Sequence, residues 1–294
     1  MRALKQGEKM RKLILMLQFF TRIPLNFEVK MKEGDFARGL VWFPVTGLFI
    51  GIWDAGFFLI FLWLLKGFQG SEAGIWLASV MGVAAHCLIT GAMQLDGFAD
   101  SCDGLYSART RERMLEIMKD SRTGTFGAVG IVFDLLLRIG LLAALAVHTG
   151  PAAAGLTALT APVAAKSVNG LILSISGDAR AGGGMGSLFI GKVSRGQGAF
   201  CLAAGMILVL GLFGIAGMAG FKFVGFAGAR AYEVAVLACI GLACFVPAIL
   251  ANLLFKNSVE RKLGGMTGDT LGAASEIAEI VFTFAFLVLG GMPL

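Results

Sequence analysis

Asp96-Gly97-Phe98-Ala99-Asp100-Ser101-Cys102-Asp103-Gly104 places three carboxylates within nine residues, just after a long apolar segment. Asp96, Asp100 and Asp103 stand at i, i+4 and i+7, which puts them on one face of a helix. Helix-start capping accounts for one such acid but not for three on one face. Three carboxylates in a row repel one another unless a cation sits among them. An all-oxygen set of this kind suits Mg²⁺, Mn²⁺ or Ca²⁺ better than Zn²⁺. Mg²⁺ takes one or two carboxylates and fills its remaining positions with water and substrate phosphate. The expectation is a metal-dependent, phosphate-handling site with Asp96, Asp100 and Asp103 as metal ligands. Asp96 and Asp103 are also the catalytic candidates, Asp103 as the base.

Three further segments carry chemistry. Lys119-Asp120-Ser121-Arg122-Thr123-Gly124-Thr125 offers two cations, three hydroxyls and a glycine ahead of an apolar helix. Lys119 and Arg122 suit either phosphate binding or a purely topological role. Gly264-Gly265-Met266-Thr267-Gly268-Asp269-Thr270-Leu271-Gly272 supplies Asp269 as a fourth metal-ligand candidate, with Glu276 and Glu279 expected at the mouth of the last span. Arg180 in the glycine-rich run Asp178–Gly186 is a phosphate contact candidate; no Gly-Lys-Ser/Thr follows, so the run is not a Walker A loop. Asp134 and Arg138, at i and i+4, are expected to neutralise each other. His86 and His148 stand apart with no metal-ligand spacing, and five cysteines without paired spacing imply no disulfides.

The elements that must position these residues are membrane helices. The 294 residues are 57% hydrophobic and only 15% charged, with a mean hydropathy of +0.81. That excludes an ordinary soluble domain. The 42 glycines fit closely approaching transmembrane helices. Apolar stretches long enough to span a bilayer fall at roughly 40–65, 74–95, 127–148, 152–175, 198–220, 232–255 and 275–293. The reading is an all-α, polytopic bundle of about seven transmembrane helices forming one integral-membrane domain over 1–294. Residues 1–38 form a basic N-terminus in which Leu13–Phe20 is interfacial, and 96–126, 176–197 and 256–274 are long loops.

The N-terminus to Arg38 carries nine Lys/Arg and the 96–126 loop five. The positive-inside rule puts this basic N-terminus and the three long loops in the cytoplasm, at a cytoplasmic (inner) membrane. No cleavable signal pattern is expected at the N-terminus. The net charge of +6 follows from topology and does not point to nucleic acid. Ionisable loops gathered on one face suit an enzyme drawing on soluble substrates. A cation-coupled transporter instead needs ionisable groups on a mid-membrane path.

Five stretches together resemble the cobalamin synthase family. They are Leu17-Gln18-Phe19-Phe20-Thr21-Arg22-Ile23-Pro24, Phe43-Pro44-Val45-Thr46-Gly47, Asp96 to Leu105, Glu112 to Gly127, and Gly265 to Ala273. They run in family order from about Leu13 to Glu279. The sequence departs from the family pattern at Gln94, where a His is usual, and at Arg180-Ala181-Gly182, where Arg-x-Glu is usual. The resemblance implies transfer of a substituted phosphate group: adenosylcobinamide-GDP joined to α-ribazole or its 5′-phosphate, with release of GMP. It implies Mg²⁺ as cofactor and the lipid bilayer as surroundings, and leaves homo-oligomerisation open. The nearest rival from the residues is a CDP-alcohol-type phosphotransferase, whose Asp-Gly-x-x-Ala-Arg pattern is not matched here because Asp100 follows Ala99 directly.

Overall fold

The computed structural model describes residues 2–25, 32, 34–66, 72–180, 183–219 and 230–290. Twelve α-helices order these residues: α1 Arg2–Phe20, α2 Asp35–Gly39, α3 Phe43–Leu64, α4 Glu72–Thr90, α5 Met93–Tyr106, α6 Arg111–Ile117, α7 Thr125–His148, α8 Pro151–Ser174, α9 Arg195–Met218, α10 Arg230–Ala243, α11 Phe245–Leu263 and α12 Gly268–Gly290. Seven segments are long and apolar enough to cross a membrane: Asp35–Leu64, Glu72–Thr90, Thr125–His148, Pro151–Ser174, Arg195–Met218, Val234–Leu263 and Gly268–Gly290. The chain is a multi-pass, all-α membrane protein.

α8 is the central post, with Val163, Ala164, Ala165 and Val168 fully buried. Its small side chains let neighbours come close, which is how membrane helices gain packing energy when lipid is as apolar as they are. A Cβ on Gly51 of α3 would lie 2.0 Å from the Leu159 carbonyl oxygen of α8. On the other side, a Cβ on Gly205 of α9 would lie 1.9 Å from Ser167 Oγ. The outer faces carry exposed apolar side chains such as Trp63, Leu136 and Leu254, as lipid contact demands.

The ends of several helices differ from the expected ranges. α4 stops at Thr90, because Gly91 (φ +62°) and Ala92 (φ +54°) are left-handed. The Ala92 N–H donates to the Cys87 carbonyl and the Gly91 N–H to the Leu88 carbonyl, a Schellman termination. The chain restarts at once as α5, so the acidic motif is a helix of its own. The residues 96–126, expected as a loop, are therefore mostly α5 and α6. Likewise, 256–274 is not a loop. α11 runs to Leu263, Gly264 (φ +74°) ends it, and α12 begins at Gly268. Thr267 caps α12 by accepting from the Thr270 N–H at 3.2 Å, while Thr270 Oγ1 accepts from the Thr267 N–H at 2.8 Å.

Candidate active site

The acidic helix α5 lies against α12 through glycine. A Cβ on Gly97 would lie 2.8 Å from the Asp269 carbonyl oxygen, and one on Gly272 would lie 3.0 Å from the Gln94 carbonyl oxygen. Only glycine allows this backbone-to-backbone crossing. It sets Asp269, in the first turn of α12, beside Asp96. The glycine-rich run closes over the same point. The Ala179 N–H donates to the Met266 carbonyl at 2.9 Å and the Met266 N–H to the Gly177 carbonyl at 2.8 Å. Arg180 emerges from this bridge, and its Nη2 donates to Asp269 Oδ2 at 2.8 Å. Arg111, which the sequence does not mark as structural, ties these segments together. It donates from Nε to the Leu263 carbonyl and from Nη2 to the Ala179 carbonyl, both at 2.7 Å.

Asp96, Asp269 and Arg180 share the wall of one cavity of about 370 Å³. Asp100 stands one turn along α5. Its carboxyl is pushed up to about 7, first by burial and then by the charges of Asp96, Asp269 and Asp103, with Arg180 opposing. Beyond burial, three acids act on this carboxyl against the one guanidinium.

Asp103 has a different place from the one expected. Its Oδ2 accepts from the Gly124 N–H at 2.7 Å and its Oδ1 from the Gly127 N–H at 2.8 Å. It caps α7, whose own N-cap, Gly124, has no side chain for the task. Both oxygens are engaged by backbone donors and Asp103 does not line the cavity, so it is poorly placed to act as the base. Lys119 and Arg122 do not line the cavity either. Arg122 is exposed and forks onto Asp120, at 3.0 and 2.7 Å. Of the three cations expected on phosphate, the structure brings only Arg180 to the acids.

Glu276 and Glu279 are not at a helix mouth. They lie well inside α12, buried, and both pair with Arg138 of α7, Glu279 at 2.9 Å. Arg138 also reaches Asp134 at 3.3 Å, so that expected pair is part of a larger network. His86 joins it, its Nδ1 2.7 Å from Asp54 Oδ2. His86 Nε2 and Asp54 Oδ1 have no hydrogen-bond partner among the described residues, and both residues border a small cavity of about 60 Å³.

Among the described residues, no three His, Cys, Asp or Glu side chains converge as a ready metal cluster. Mg²⁺ does not require one, because it is held by one or two carboxylates together with substrate phosphates. Asp96 and Asp269 are hard oxygen donors on the cavity wall with one guanidinium between them and a third acid, Asp100, a turn away, and they fit such an ion. Asp103, already engaged by two backbone donors, fits it less well.

The chain matches the cobalamin-5-phosphate synthase family over residues 12–287. It belongs to that family. It is 39% identical over 285 residues to an adenosylcobinamide-GDP ribazoletransferase of Clostridium novyi (strain NT), covering 97% of this chain and 100% of the relative. It is 36% identical over 274 residues to an adenosylcobinamide-GDP ribazoletransferase of Escherichia coli O17:K52:H18 (strain UMN026 / ExPEC), covering 92% of this chain and 97% of the relative. No solved structure matches. Family membership sets aside the transporter and CDP-alcohol readings. The protein is a transferase of cobalamin biosynthesis.

Proposed function

We propose that this protein joins adenosylcobinamide-GDP to α-ribazole or its 5′-phosphate and releases GMP. The observation that carries this reading is the shared cavity wall of Asp96, Asp269 and Arg180. Two acids for a cation and one guanidinium for phosphate oxygens are what transfer of a substituted phosphate needs, since such reactions draw mainly on positioning and charge stabilisation.

Asp96 and Asp269, which share the cavity wall, would hold Mg²⁺. Bound there, the ion would neutralise charge on the pyrophosphate and on the departing GMP. Arg180, oriented by Asp269, donates to phosphate oxygens as a planar fork. The acceptor hydroxyl oxygen bonds to the phosphorus that carries the cobinamide, and the bond from that phosphorus to the pyrophosphate bridging oxygen breaks. GMP leaves with that oxygen. The hydroxyl proton passes to the carboxylate cluster, in which Asp100 is the member held near neutral pH. The distribution of Lys and Arg supports a cytoplasmic membrane with this site facing the cytoplasm, where GMP is released to water.

The test is GMP release from adenosylcobinamide-GDP by the purified protein in detergent, with α-ribazole 5′-phosphate, with and without Mg²⁺. Asp96→Asn runs alongside. Metal-dependent release that the variant loses is the expected result. No release from folded wild-type protein would sink the reading.

A further inference from the structure

The cavity that begins at Asp96 and Asp269 continues inward to a chamber that the phosphate chemistry does not use. Ser275 borders its inner end, roughly 9 Å along α12 from Asp269 at 1.5 Å of rise per residue. Four phenylalanines form its apolar side. Phe20 meets Phe43 edge to face at 5.1 Å, Phe43 meets Phe189 at 5.6 Å, and Phe19 meets Phe189 at 5.6 Å. Two amides share the lining with them, as does the buried Lys166, whose Nζ stands 4.5 Å from the centre of the Phe20 ring. Gln94 is 4% exposed and Asn169 6%. Asn169 Nδ2 donates to the Leu271 carbonyl and to Ser275 Oγ, both at 3.1 Å, which fixes the side chain and leaves Oδ1 free. Gln94 Oε1, Gln94 Nε2 and Asn169 Oδ1 have no hydrogen-bond partner among the described residues. Both residues line the chamber. A buried amide with neither end paired is a standing cost to the fold, of the kind retained where a ligand supplies the partner.

We infer that this chamber takes the acceptor nucleoside, base first, with Gln94 as the residue that reads the base. The inference rests on the function proposed above and names the acceptor subsite of that reaction. A benzimidazole riboside is flat and mostly apolar, with one bare ring nitrogen and a set of ribose hydroxyls. The phenylalanine rings suit its faces and edges. Gln94 Nε2 donates to the bare ring nitrogen, while Gln94 Oε1 accepts from a ribose hydroxyl. At about 370 Å³ the cavity falls in the range of single small-ligand sites, roughly 300–1,000 Å³, and is too small for a corrin ring with its nucleotide. The donor's corrinoid therefore lies outside it. The guanine end belongs outside as well, because GMP must leave to water as a multiply charged ion and the exposed Asp96 marks the open side. The inner position, beside the phenylalanine rings, is left for the acceptor base, whose ribose hydroxyl then points back towards Asp96 and Asp269.

The test is titration calorimetry of α-ribazole into wild-type protein, Gln94→Leu and Asp96→Asn in detergent, each with and without adenosylcobinamide-GDP. KM for both substrates is measured on the active proteins. Gln94→Leu should weaken α-ribazole binding and raise the acceptor KM about tenfold or more, as loss of a buried hydrogen bond does. The KM for adenosylcobinamide-GDP should not move. The melting temperature of Gln94→Leu should equal or exceed that of the wild type, because an unpaired amide has been replaced by an apolar side chain of similar size. Gln94→Met, which keeps the length but removes the donor, should show the same loss. An indole riboside, with C–H in place of the bare nitrogen, should bind the wild type about tenfold more weakly than α-ribazole. Gln94→Leu should not distinguish the two ligands. The inference is overturned if Gln94→Leu binds α-ribazole as the wild type does, if the loss falls on GMP or the donor instead, or if no protein binds α-ribazole under either condition. Wild-type protein that binds α-ribazole yet releases no GMP would refute the proposed reaction and leave the chamber assignment standing.

Discussion

Asp103 Oδ1 accepts a 2.8 Å hydrogen bond from the Gly127 N–H, across the junction between α5 and α7. With the second bond, from Gly124, the third acid of the motif supplies the capping side chain for a transmembrane helix. Asp103→Ala should therefore lower stability by about 0.5–2 kcal/mol, the usual range for a lost cap. The expected signature is a lower melting temperature, with kcat at saturating substrate within about tenfold of wild type in the protein that remains folded. A collapse of kcat by several orders of magnitude at unchanged melting temperature would return Asp103 to the role of base.

Gly97 is where α5 and α12 touch. In Gly97→Val, the new side chain would enter space where a Cβ alone already lies 2.8 Å from the Asp269 carbonyl oxygen. The helices must part, which costs about 1–3 kcal/mol and separates Asp96 from Asp269. GMP release should fall further than stability does. Comparing both quantities for Gly97→Ala and Gly97→Val checks this, with the valine variant expected to be the worse in each.

Arg138 holds three buried acids. Replacing it with Leu leaves Glu276, Glu279 and Asp134 without their cation. The expected loss is about 3–5 kcal/mol, as for other buried pairs broken from one side. Arg138→Lys should recover only part of it, because an ammonium cannot reproduce the planar fork. Denaturation in detergent gives the comparison, and an Arg138→Leu protein as stable as wild type would contradict it.

The acidic cluster gives stability a pH dependence. The Asp100 carboxyl is raised to about 7 in the folded protein without metal, from an ordinary value of 3.8. A raised acid contributes stability that is full below the lower value and is lost as pH rises through the higher one. Metal-free protein should therefore lose the Asp100 contribution between about pH 4 and 7. A divalent cation that binds the carboxylates opposes this loss, so Mg²⁺ should raise the melting temperature more at pH 8 than at pH 6. Equal Mg²⁺ shifts at the two pH values, or an absent shift in wild type, would argue against the assigned ligands.

Much of this protein was legible before any tertiary contact was known. Hydrophobic length marks the spans, because bilayer thickness sets the number of apolar residues and needs no partner. The i, i+4, i+7 spacing of Asp96, Asp100 and Asp103 marks a helix face, because that relation is local. The motif order carries the family.

Other features depend on what packs against what. Asp103 shares its face with Asp96 and Asp100, yet the exposed amides at the start of α7 claim it. Asp269 reaches the acids because Gly97 and Gly272 let two backbones meet, and the sequence distance between α5 and α12 hides this. Arg180 was chosen over Lys119 and Arg122 by the Gly177–Met266 backbone bridge. Glu276, Glu279 and Asp134 found Arg138 only after α7 and α12 came together. Gln94 and Asn169 read as ordinary polar residues until burial removed their water and left their amides facing a cavity. Hydrophobicity and periodicity are properties of the chain alone, whereas the partner of a buried polar group is a property of the packed bundle.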